Sequence, residues 1–152
     1  MTMPPAGWVF LAAFPPFVVL VWLVGNNITS LLFGWWALAR HYQYHGPFEG
    51  TLHRFQTCYF GWAHYGHSVA VGANAEGLYL AVFLLLRPGH PPLFVPWADV
   101  SAEPVVNWLG REHVLFRFAK APSVRVRVSG SLGRLLAADA NRSWAEPDQE
   151  LQ

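Results

Sequence analysis

The chain has 152 residues, enough for one modest domain and an appendage but not for two full cores. Hydrophobic residues make up 53% and charged residues only 12%, about half the usual share for a soluble protein, which directs attention to a membrane. The formal net charge of +1 argues against a general nucleic-acid binder, and the lone cysteine, Cys58, excludes an intramolecular disulfide.

No side-chain charge occurs between Met1 and Ala39. Within that stretch GWVFLAAFPPFVVLVWLV, Gly7 to Val24, offers 18 uncharged residues. At about 1.5 Å per residue this is just long enough to cross a hydrocarbon core of about 30 Å. The reading is a transmembrane anchor over 1–25, kinked where Pro15 and Pro16 each remove a backbone donor. A cleaved signal peptide fits less well, because no basic residue precedes the apolar run and no small-residue cleavage site precedes Asn26.

GNN then reads as a break, followed over 26–49 by an interfacial amphipathic helix and linker. In ITSLLFGWWALARHYQ, Leu31, Leu32, Trp35, Trp36 and Leu38 share one broad face. Tryptophans suit the headgroup layer, with packing on the following domain as the equal alternative. Arg40 and Arg54 lie after the span, so the positive-inside bias places the rest of the chain in the cytoplasm, as a single-pass protein of the cell membrane.

From residue 50 the period changes to alternating or continuous apolar runs between turn residues. Seven strands are predicted: Leu52–Trp62, His67–Gly72, Gly77–Arg87, Leu93–Trp97, Val100–Trp108, Glu112–Lys120 and Val124–Ser129. No gap is long enough for a helical crossover, so the sheet is antiparallel. Leu132, Leu135 and Leu136 then return at helical spacing behind Ser129 or Ser131 as N-cap. The expected fold is mainly β: a partly open barrel over 50–142, capped by a C-terminal helix and followed by a disordered tail over 143–152.

EGLYL, followed by VPWADV, resembles the pattern of pleckstrin-homology (PH) and GRAM-like domains, in which a G-L-y-l strand leads through a hairpin to a strand ending i-P-w-s-d-i. RPGHPPLFVPW is also similar to a segment of small bacterial membrane proteins, a likeness that implies no activity. The PH-like resemblance implies a binding or scaffolding module for lipid headgroups or protein segments. It transfers no site residue, because FQTCYFGWAHYGHS, at the first hairpin, lacks the basic motif of phosphoinositide-binding members.

RPGHPPLFVPWADV reads as hairpin punctuation: Pro88 and Gly89 turn the chain, and Pro96 requires an edge or a bend. A catalytic His90 on an exposed loop is the alternative, but of the acids, nucleophiles and other histidines such chemistry needs, the stretch offers only Asp99. The pairs His41/His45 and His64/His67 lack acidic or cysteine partners, so no metal site is expected. Cys58, in a β-type stretch, reads as a buried thiol. No enzyme and no cofactor are expected.

REHVLFRFAKAPSVRVRVSG carries the most information. Alternation places Arg117, Arg125 and Arg127 on one sheet face, with Arg117 opposite Arg127 across a loop at 121–123. Glu103 and Glu112 are available to neutralise that face. Left unneutralised, it would meet anionic lipid headgroups or an acidic segment of a membrane-protein partner. A membrane-anchored binding module is therefore the leading expectation. An accessory structural subunit of a larger membrane complex is the second.

Overall fold

The computed structural model describes residues 5–143. Helix α1 spans Pro5–Leu32 and α2 Trp35–Tyr42. Seven strands follow, β1 Thr51–Phe60, β2 Ala63–Ala73, β3 Gly77–Val82, β4 Leu93–Pro96, β5 Val100–Val106, β6 Glu112–Phe118 and β7 Ala121–Ser129, then helix α3 Gly130–Asp139. All seven strands form one antiparallel sheet in the order β4-β3-β2-β1-β7-β6-β5. The expected tail lies, beyond Ser143, outside the described residues.

The sheet is rolled. Its two edges, β4 and β5, are consecutive in the chain and joined through a turn of 3₁₀ helix at Trp97–Asp99. Laid flat, seven strands would hold their edges about 29 Å apart. Four residue steps from Pro96 to Val100 reach at most about 14 Å. The motif EGLYL lies along β4 with Gly77 opposite Pro96 and Leu78 opposite Val95. A Cβ on Gly77 would sit 2.4 Å from the Val95 carbonyl oxygen, so only glycine fits there. Trp97 pins this corner by donating from Nε1 to the Asn74 carbonyl at 2.7 Å.

The inward positions of all seven strands, among them Cys58, Phe60, Val69, Val71, Phe116 and Val126, make the core. Helix α3 closes it with Leu132 and Leu136, while Leu135 stays exposed. Ser129, not Ser131, caps α3, its Oγ accepting from Leu132 N at 3.3 Å. His53 Nε2 and Asp139 Oδ2, 2.7 Å apart, tie the end of α3 back to β1.

One expectation for the first fifty residues is corrected. The helix does not break at Gly25–Asn27. It runs through both prolines to Leu32, because Asn27 Nδ2 bonds the Leu23 carbonyl and Thr29 Oγ1 the Gly25 carbonyl within the same helix. The break falls at Phe33–Gly34, where Gly34 has φ +86 and a Cβ would lie 2.7 Å from a Val124 methyl. α1 is long and apolar enough to cross a membrane, and none of its most apolar window is buried within the protein.

Of the two readings open for α2, the structure shows the one in which it packs on the following domain. Trp35, Leu38, Ala39 and Tyr42 are buried in the core, leaving Trp36 exposed beneath the Arg40 guanidinium. The Trp35 ring lies 5.1 Å from Phe60, 5.5 Å from His90 and 6.3 Å from Tyr65, and its Nε1 donates to the Pro91 carbonyl at 2.9 Å. A fragment beginning at residue 50 would lack this plug.

Trp35→Ala should therefore cost about 3–5 kcal/mol of stability by opening a cavity and orphaning the Pro91 carbonyl. Trp36→Ala should cost about 0.5 kcal/mol or less. Denaturant unfolding of the full-length protein in detergent measures both, and equal losses would contradict the packing of α2.

Candidate functional site

Three strands and β1 present one outer face. Alternation turns Val114, Phe116 and Phe118 inward and sends Leu115 and Arg117 outward, while Val124, Val126 and Val128 alternate with Arg125 and Arg127. Across the face Ser101 pairs with Arg117 and Arg117 with Arg125. The next row is Glu103, Leu115, Arg127 and Tyr59.

This register differs from the one expected: Arg117 is opposite Arg125, not Arg127. The hairpin turns at Ala119–Lys120 because Ala119 N bonds the Asp99 carbonyl and Lys120 N the Tyr42 hydroxyl. An irregularity between Arg117 and Phe118 absorbs the remaining offset. A shift of two residues preserves the face, so the three arginines still meet.

Their partners differ. Arg117 is matched by Glu103 at 3.0 Å, and Glu112 is drawn away to Arg134 at 2.8 Å. Arg127 lies over the Tyr59 ring at 4.9 Å, and its Nε is buried without a hydrogen-bond partner. Arg125 is exposed and has no carboxylate within ion-pair reach among the described residues. Arg125 and Arg127 line a groove of about 390 Å³ with Gly61, Val105, Val106, Asn107, His113 and Leu115. Like charges directly opposite on a sheet, as Arg117 and Arg125 are, are unfavourable without an anion over them, and Glu103 answers only Arg117.

His90 is not on an exposed loop. It is buried, with Nε2 3.1 Å from the Tyr65 hydroxyl and Nδ1 3.5 Å from the Pro88 carbonyl. A carbonyl only accepts, so Nδ1 carries the hydrogen and Nε2 accepts from Tyr65. Burial holds His90 below its ordinary pKa and pushes the Tyr65 hydroxyl up to about 12. The pair is a neutral latch that draws the proline-rich segment onto Trp35. Burial likewise pushes the Cys58 thiol up to about 12, so it stays protonated. Among the described residues, no three of His, Cys, Asp and Glu come together.

No family model, curated protein or solved structure matches this chain. The site therefore rests on its own residues. Sequence reasoning found the arginines but missed Tyr59, whose outward position was legible from its place between the inward Cys58 and Phe60.

The latch predicts an acid-sensitive fold. The unfolded chain takes up a proton on His90 near pH 6.5, whereas the folded state resists it. Stability from this group is thus full above about pH 6.5 and falls as pH drops below it. Melting temperature followed against pH should show that decline in the wild type and a shallower one in His90→Gln. Equal slopes would assign the decline to other groups.

Proposed function

We propose that this chain is a membrane-tethered, non-enzymatic binding module. In this reading α1 crosses the cell membrane once and holds a PH-like barrel at the cytoplasmic face, where it receives an anionic partner. The observation that carries it is the groove beside Arg125 and Arg127, two guanidinium groups without carboxylate partners among the described residues. The cytoplasmic side is supported by Arg40 and Arg54, the basic residues that follow α1 most closely. The PH-like reading is supported by the strand order, the C-terminal helix, and the pairing of EGLYL with the strand that ends at Pro96.

An acidic protein segment suits the groove better than a lone headgroup, because Val105, Val106 and Leu115 add apolar surface that a phosphate would leave uncovered. A second reading, an accessory subunit of a membrane complex, is favoured by one feature of α1. Pro15 and Pro16 leave the carbonyls of Leu11 and Ala12 without helical donors on a segment that none of the described residues covers. The readings converge if the acidic segment belongs to a membrane-embedded neighbour.

Full-length protein in mild detergent should bind a fluorescent peptide rich in glutamate and leucine, with affinity falling as salt is raised. Arg125→Glu combined with Arg127→Glu should weaken binding at least about tenfold, ~1.4 kcal/mol, by fluorescence anisotropy. Unchanged affinity would remove the groove as the site. Binding to phosphatidylglycerol micelles but not to the peptide would make lipid the partner.

A further inference from the structure

The apolar run GLYLAVFLLL changes character at its middle. Gly77–Val82 is wholly buried as β3, but Phe83, Leu84 and Leu85 emerge into a turn of 3₁₀ helix and are 48%, 68% and 63% exposed. Phe55, itself 63% exposed, stands 6.3 Å from Phe83. It is held at φ +57, a left-handed conformation that is unfavourable for a bulky side chain. Its cross-strand neighbour His67 shares the strain at φ +48, with Nδ1 3.3 Å from the Phe55 carbonyl. Backbone strain here projects an aromatic ring outward beside three other apolar side chains. Arg54 and Arg87 border the same patch, in a shallow groove of about 320 Å³.

The height of this patch follows from its contact with the anchor. Gly89, two residues after Arg87, sits against Asn27 of α1, close enough that an added Cβ would be 3.0 Å from Asn27 Oδ1. Asn27 lies 20 residues beyond Gly7, a rise of about 30 Å, the thickness of a hydrocarbon core. Asn26 and Ser30 are buried on the face of α1 turned toward the domain, so the barrel and the helix end meet directly. Trp62, 82% exposed, stands edge-on to Phe33 at 4.7 Å, about 9 Å farther along the helix direction, at headgroup depth.

We propose that Phe83, Leu84 and Leu85, with Phe55, form a second membrane contact. The loop between β3 and β4 dips into the leaflet from which α1 emerges, and Arg54 and Arg87 meet its lipid phosphates. The inference rests on α1 crossing the bilayer, and its test separates the two. Leu84→Cys and Leu85→Cys each replace an exposed side chain, and the native Cys58 is buried, so an environment-sensitive fluorophore attaches at the introduced position.

Labelled full-length protein is reconstituted into vesicles of phosphatidylcholine and phosphatidylglycerol, with doxyl-labelled lipid as quencher. Val18→Cys reports the anchor and Ser131→Cys, on α3, reports water. The expected result is a blue shift and loss of emission at residues 18, 84 and 85, and neither at 131. Quenching at 18 with residues 84 and 85 matching 131 would overturn the loop contact and leave the anchor standing. An aqueous signal at 18 as well would overturn both. Arg54→Glu with Arg87→Glu should reduce quenching at 84 when phosphatidylglycerol is present. Undiminished quenching there would overturn the role given to the two arginines.

Discussion

The enclosure of Trp35 is the constraint on which the architecture depends. Seven strands arranged as one sheet with adjacent chain edges leave a rolled surface that its own side chains do not fill, and an indole entering with α2 completes it. The same ring buries His90 and Tyr65 and satisfies a carbonyl of the proline-rich segment. Three parts of the chain far apart in sequence, at residues 35, 65 and 90, therefore share one contact. Helix α1 and the domain are consequently not independent modules joined by a linker. The second helix is simultaneously the continuation of the first and a piece of the core.

That arrangement explains why the chemistry of the chain faces outward. Two groups with reactive potential, the thiol of Cys58 and the imidazole of His90, are neutral and enclosed. Charge is confined to the outer surface, where strict alternation in β6 and β7 sorts valines and phenylalanines inward and arginines outward. Burying a guanidinium would be costly, and stacking Arg127 on Tyr59 is the cheaper compromise, leaving its head beside a groove.

Much of this was legible because strand alternation is a local signal. The seven strands and the common face of the three arginines follow from side-chain parity, which survives an error of two residues in register, and the closing helix follows from leucines at helical spacing behind a capping serine. Features set by tertiary contact were not legible. The apolar face of α2 looks the same whether it meets lipid or a sheet, and only the enclosing strands decide. GNN looked like a break because asparagine and glycine favour turns, yet the polar side chains bond back to their own helix. FLLL read as the rest of a strand, since hydrophobicity alone does not show where pairing ends. The Arg117 register depended on Tyr42, which lies 78 residues away from the amide that it captures.

The elbow at Gly34 has a mechanical corollary. Its left-handed backbone packs so tightly on Val124 that no side chain fits between them, and only Phe33 and Gly34 separate α1 from α2. Helix and sheet therefore meet at a packed elbow and not through a loose tether. If α1 spans a bilayer as proposed, tilting or rotating it turns the sheet with it, and the direction in which the arginine face points follows the helix.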